Sequence, residues 1–206
     1  MMTAALDTSF GSSFALADEG CILFSERLLT PGRDREKEMV PWLRELLHRH
    51  GAMPGNVVRW TVGVGPGSFT GLRVGIAFVK GVALQAACRY RGVSSALALA
   101  RMAADAGGAE RGARIGVLHD ARRGQLILSV YEVAAEGALN VFAPAEILPQ
   151  EALISSCESC SILVTLQPDA VANILPGGFQ ERLKVCDGID ASCLLVAPGV
   201  AWPVGR

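Results

Sequence analysis

The run from residue 59 to residue 88 constrains the fold most. A short strand (59–64) ends in Gly65-Pro66-Gly67-Ser68-Phe69-Thr70-Gly71, and an apolar helix is predicted from about Gly71 to Cys88. Such a loop can aim backbone N–H groups at an anion on the helix N-terminus, with Gly65, Gly67, Ser68 and Thr70 as candidate contacts; a plain tight strand-to-helix turn explains the same glycines. It is not a phosphate-binding Walker loop, because no Gly-Lys-Ser/Thr follows. The helix is apolar on nearly every side (Leu72, Val74, Ile76, Ala77, Phe78, Val79, Val82, Ala83, Leu84), a pattern that calls for cover all round. Small residues recur four apart, at Gly71 and Gly75 and at Ala77 and Gly81. The preferred expectation is one face on the sheet and the other on a second protein; the alternative is that the chain covers both. On the first reading, Gly75→Leu disrupts partner binding and leaves the fold largely intact.

Upstream, residues 3–6, 13–16 and 21–28 read as a strand meander, with turns at Asp7-Thr8-Ser9-Phe10-Gly11 and Asp18-Glu19-Gly20. Thr30-Pro31-Gly32 breaks the chain. Asp34 is placed to cap a helix with Met39, Leu43, Leu46, Leu47 and His50 at helical spacing, closed by Gly51. Pro41 inside it predicts a kink or a later start. Downstream come a strand (89–93), an alanine-rich helix (about 95–106), and a boundary at Ala106-Gly107-Gly108-Ala109. Strands 114–119 and 125–133 flank a hairpin turn at 120–124, and Pro144 marks 139–148 as an edge or bulged strand. A helix (149–155), a strand (161–166) and a helix (169–175) follow. The order of elements repeats, which predicts an α/β protein of two duplicated lobes, 1–106 and 107–206.

Composition narrows the function. Half of the 206 residues are apolar, 23 are glycine, and the net charge is −1. Nothing global attracts nucleic acid, so any RNA role would be carried mainly by a partner. No secretory leader is visible. The longest apolar run, 74–88, holds Lys80 and Gln85 and falls short of the roughly 18 residues of a membrane span, so the expected location is cytoplasmic. Cys157 and Cys160 have zinc-knuckle spacing without a matching second pair, and read more readily as reduced thiols. His48 and His50, two apart on one helix, cannot share a metal. No serine-hydrolase elbow is present. Asp7, with Thr8 and Ser9, could orient a metal or water near a phosphate, or simply cap a turn. Arg122 and Arg123 read as a solvated hairpin tip.

Three segments in order resemble the TsaB (YeaZ) family, related to TsaD/Kae-type proteins: Ala5-Leu6-Asp7-Thr8-Ser9, the stretch from Gly63 to Val93, and Leu118-His119-Asp120-Ala121-Arg122-Arg123-Gly124-Gln125. The resemblance implies a two-lobed fold of the actin/Hsp70/sugar-kinase type (ASKHA). It also implies a catalytically reduced scaffold that binds a TsaD-type subunit, the enzyme that places a threonylcarbamoyl group on tRNA adenosine beside the anticodon. A TsaE-type ATPase joins them, and TsaC-type enzymes supply the threonylcarbamoyl adenylate. ATP and a metal would belong to the complex, tRNA would be met only through it, and the lone chain could pair with itself. The implied interface lies on the two N-lobe helices: Met39, Leu43, Leu46, Gly71, Leu72, Gly75, Phe78, Val79 and Val82. TsaD-type relatives carry two metal-binding histidines four apart just after the next strand. Here that stretch is Gly92-Val93-Ser94-Ser95-Ala96-Leu97-Ala98-Leu99, so no catalytic residue or metal ligand is expected. Two departures stand out: Arg35-Glu36-Lys37 in place of a His-Ser-Glu run, and an end at Trp202-Pro203-Val204-Gly205-Arg206 without a final helix, which leaves a shortened second lobe open. The rival reading is a stand-alone ATP-dependent phosphotransferase using Asp7 and the Gly65–Gly71 loop.

Overall fold

The alanine–leucine run of β1 (Met2–Asp7) is buried to its end because the strand is central to its sheet. In the computed structural model, which describes residues 1–29 and 35–196, β1 pairs antiparallel with β2 (Ser12–Asp18) and parallel with β4 (Arg59–Gly63). β3 (Cys21–Leu28) and β5 (Arg89–Val93) form the edges, giving the order β3-β2-β1-β4-β5. The proposed break at Thr30-Pro31-Gly32 and the Asp34 cap lie outside the described residues.

One face of this sheet is covered by α1 (Arg35–Arg49) and α2 (Phe69–Ala86). Alternating side chains Ala4 and Leu6, Phe14 and Leu16, and Trp60 and Val62 meet Met39, Leu43, Leu46, Leu47 and Val79 in one core. Trp60 anchors it, stacked on Phe14 at 5.9 Å and edge-on to Phe78 at 5.8 Å. α1 runs through Pro41. That residue faces solvent, where the carbonyl it leaves unpaired can be hydrated. α2 begins two residues earlier than its apolar pattern suggests, because Ser68 caps it by accepting from the Gly71 N–H at 3.2 Å. Its 18 residues are long and apolar enough to cross a membrane by length and composition alone, more than the charge-interrupted sequence run suggested.

The other face carries α6 (Ser192–Leu195), which packs against β1, β2 and β4. Arg91 in β5 holds it: Nε donates to Thr61 Oγ1 at 3.2 Å, and Nη2 donates to the Leu194 and Leu195 carbonyls at 3.4 and 3.3 Å. Asp190 adds a second tie, accepting from Ser25 Oγ at 2.5 Å. Arg91→Ala leaves two carbonyls at the end of α6 without their donor. We expect it to cost about 2 kcal/mol in urea denaturation.

A second sheet has the order β10-β9-β6-β7-β8. Its strands are β6 (Arg114–Arg122), β7 (Gln125–Val133), β8 (Leu139–Ile147), β9 (Ile162–Thr165) and β10 (Leu183–Val185). β6, β7 and β8 form an antiparallel meander, while β9 joins β6 and β10 joins β9 in parallel. Reversed, this is the topology of the first sheet, strand for strand, in line with the repeated order of elements along the sequence. α4 (Gln150–Glu158) and α5 (Pro168–Ala172) cover a core of Leu118, Leu126, Leu128, Leu153, Leu163 and Phe179. Where the first sheet crosses from β4 to β5 through the long α2, the second crosses from β9 to β10 through α5 and a short 3-10 helix, Gly177–Arg182. The chain forms two compact units, Met1–Ser95 with the chain from Gly188 on, and Ala96–Asp187, with α3 (Ser95–Gly107) opening the second.

Candidate functional site

The parallel strands of the first sheet end close together, and the loops leaving them meet around Asp7. Its side chain is 1% exposed. Oδ1 accepts from the Ser9 N–H at 2.8 Å and from Ser9 Oγ at 2.5 Å, and Oδ2 accepts from Ser95 Oγ at 2.5 Å. Burial raises the Asp7 pKa above the usual carboxylate value, against the pull of these three donors. Gly63 gives the carboxylate its room: a Cβ there would collide with Oδ2 and stand 2.8 Å from Ser95 Oγ. Ser95 Oγ also accepts from the Gly65 N–H at 3.1 Å, and the Ser95 N–H donates to the Gly65 carbonyl at 2.8 Å. The Ser68 N–H donates to the Ser9 carbonyl at 2.8 Å. The ends of β1, β4 and β5 are thus laced into one buried network.

This places the sequence candidates. Asp7, Thr8, Ser9 and Gly65 are buried, while Gly67, Ser68 and Thr70 are exposed at the head of α2. The network brings the Asp7–Ser9 turn and the glycine loop together. Thr8 lies under α2, its Oγ1 buried without a hydrogen-bond partner. With Gly11, Ser12, Ser68 and Gly71 it lines a cavity of about 30 Å³, room for a water molecule but not for a nucleotide.

The interface candidates divide. Met39, Leu43, Leu46 and Val79 are 0–1% exposed in the chain's own core, so they present nothing to a partner. Gly71 and Gly75 are also spent internally. A Cβ on Gly71 would run into the Thr8 carbonyl oxygen, and one on Gly75 would meet Thr8 Cγ2 at 3.1 Å and Cβ at 3.3 Å, with Oγ1 closer still. The close approach that these glycines permit is to the β1–β2 turn, which corrects the expected outcome of Gly75→Leu. Leu72, Phe78 and Val82 are half-buried. The outward face of α2 is Phe69 (74% exposed), Arg73, Ala77, Lys80, Gly81 and Leu84 (88% exposed), with the Arg73 guanidinium 5.1 Å from the centre of the Phe69 ring. Counting at 100° per residue puts these six within one third of the helix, opposite Gly71, Gly75 and Val79. That stripe was readable from sequence once the glycines were assigned inward. Arg35 and Glu36 open α1, but their side chains lie outside the described residues, as does the 202–206 end.

In the second unit, Arg122 and Arg123 take φ of +70° and +55° at the β6–β7 tip, and Arg122, largely exposed, pairs with Asp120 at 3.4 Å. Cys157 and Cys160 are buried against the sheet, and burial pushes the Cys157 thiol up to about 12. Among the described residues, no three His, Cys, Asp or Glu side chains gather where they could hold a metal.

The family model described as "TsaD: tRNA N6-adenosine threonylcarbamoyltransferase" matches residues 31–165. The TsaB protein of Escherichia coli K12, named for tRNA threonylcarbamoyladenosine biosynthesis, is 31% identical over 133 residues, 64% of this chain and 55% of that protein. Its Bacillus subtilis 168 counterpart is 29% identical over 64% of this chain and 56% of its own length. YeaZ from Pseudomonas aeruginosa superposes with a TM-score of 0.70 at 26% identity, covering 94% of this chain and 88% of that one. The chain belongs to the TsaB (YeaZ) family. A second Pseudomonas aeruginosa structure, described as an uncharacterized protein similar to peptidase YEAZ, gives a TM-score of 0.73 at 26% identity over the same coverage. The chain spans about half the length of the curated TsaB relatives it matches. The chain shares its two-sheet architecture with these YeaZ structures. Where the sequence comparison with TsaD-type relatives looked for histidines, this chain has Ser95 on Asp7, followed by the buried run Ala96 to Leu99.

Proposed function

We propose that this chain is the non-catalytic supporting subunit of a cytoplasmic complex that threonylcarbamoylates tRNA adenosine beside the anticodon, and that it binds a TsaD-type transferase through the outward face of α2. The observation that carries the reading is that stripe: Phe69 and Leu84 stand in solvent on a helix whose opposite face is fastened to Thr8. In this reading a TsaE-type ATPase joins the pair, ATP and the metal belong to the complex, and tRNA is met through the partner. Two copies of the chain would pair on the same stripe when the partner is missing.

The rival reading, a stand-alone phosphotransferase, needs a carboxylate free to orient a metal or water. Both Asp7 oxygens already accept hydroxyl protons from the chain itself. Titration calorimetry of this chain against the TsaD-type subunit of the same source, with and without ATP, tests the proposal. We expect tight binding, and tRNA modification only with both chains present. Phe69→Asp or Leu84→Asp should weaken binding at least tenfold with the melting temperature unchanged. No binding, together with ATP hydrolysis by this chain alone, would replace the scaffold reading with the phosphotransferase.

A further inference from the structure

Phe69, Arg73, Lys80 and Leu84 stand on the outward face of α2 in a symmetric order: apolar, cation, cation, apolar. Phe69 and Leu84 lie equally far from the midpoint between Ile76 and Ala77, and so do Arg73 and Lys80. The two apolar ends are about 22 Å apart along the helix, so an occupant that covers both spans about four helical turns. Ala77 and Gly81, exposed between them, leave room for a second helix to come close, and a Cβ at Gly81 would meet nothing within 4 Å. α2 holds no acidic residue. Among the described residues neither Arg73 nor Lys80 has a carboxylate partner, and the Arg73 guanidinium lies over the Phe69 ring.

The symmetry decides what a second copy would meet. Two copies related by a two-fold axis can lay α2 antiparallel on α2, with Phe69 of each against Leu84 of the other. That same register sets Arg73 against Lys80, twice. A parallel, in-register pair gathers the four cations at two shared levels of the helices. Like charges opposed in a closing interface cost far more than the same charges in water. We propose that this face rejects a second copy and selects a helix that carries carboxylates at the levels of Arg73 and Lys80 and apolar side chains toward its ends. The proposal rests on the reading of the chain as partner of a TsaD-type subunit, and names what that subunit's helix must offer. Self-pairing on this face is then confined to high salt, where the cations are screened. An RNA backbone would answer the cations and leave Leu84 uncovered.

Lys80→Glu tests both halves at one exposed side chain, because in the antiparallel register it sets a carboxylate against each Arg73. In sedimentation equilibrium we expect the unsubstituted chain to self-associate weakly at low salt and more strongly as salt rises. Lys80→Glu should self-associate at least tenfold more tightly at low salt. Calorimetry against the TsaD-type subunit should show the reverse: affinity that falls with salt, and at least a tenfold loss for Lys80→Glu, with Lys80→Gln between. Arg73→Glu, at the symmetric position, should act alike, and the melting temperatures should match that of the unsubstituted chain. Unchanged partner affinity or unchanged self-association in both charge reversals overturns the proposal and leaves the scaffold reading standing. An unsubstituted chain that binds no TsaD-type subunit at any salt overturns both. Binding of a short single-stranded RNA by the chain alone, lost in Lys80→Glu, would give the cations to phosphates and overturn the proposal as well.

Discussion

Gly75→Leu is expected to destabilise the chain by about 3 kcal/mol or more, measured as a fall in the urea midpoint with the slope unchanged. The cause is steric. Even a methyl group at Gly75 meets the Thr8 side chain, and Thr8 cannot retreat because its own carbonyl lies against Gly71 one turn away. The neighbouring Ser9 is fixed by Asp7 and by the Ser68 N–H. Leucine therefore has to push α2 off the sheet or break the Asp7 network. Gly81 sits on the same helix with open space at its Cβ position, so Gly81→Ala is the control for helix propensity and should leave stability unchanged or slightly raised. If Gly75→Leu melts like the unsubstituted chain, the contact with Thr8 is not the one that seats α2.

The contrast between those two glycines shows what the sequence could and could not convey. The succession of strands along the chain was legible because turn residues bound each apolar run and the order of elements repeats; the order of strands within each sheet was not, and both sheets carry the same topology. Which face of α2 turns inward was not legible from an apolar pattern that is nearly uniform around the helix. The deciding contact is with Thr8, more than sixty residues earlier in the chain. Asp7 shows the same limit. Its local sequence allows a metal-orienting carboxylate or a turn cap, and Ser95, 88 residues away, commits its second oxygen. Met39, Leu43 and Leu46 have the helical spacing of a buried face, and spacing alone does not say whether a sheet of the same chain or another protein buries them. They meet Phe14, Leu16 and Trp60 of their own sheet. The later part of the second unit, with a five-residue α5 and a three-residue β10, is too short in its elements to display any period.

His119 sets an expected dependence on pH. It lies in β6 at 1% exposure, and burial lowers its pKa from 6.5 to about 4. The unfolded chain therefore takes up a proton on this residue at a higher pH than the folded chain does. A base with a depressed folded pKa contributes stability that is fully present above pH 6.5 and is lost as pH falls toward 4. The loss integrates to about 3 kcal/mol for this one group. Asp7 works in the opposite sense across part of the same window. Its pKa is raised by burial, so its contribution is fully present at low pH and is lost as pH rises through its folded value. The measurement that separates them is a difference: urea denaturation of the unsubstituted chain and of His119→Gln at pH 7 and at pH 4.5. The unsubstituted chain should lose about 2 to 3 kcal/mol more than the variant between those two conditions. Equal losses would mean that His119 is protonated inside the fold at an ordinary pKa, and that its packing in the second sheet admits water.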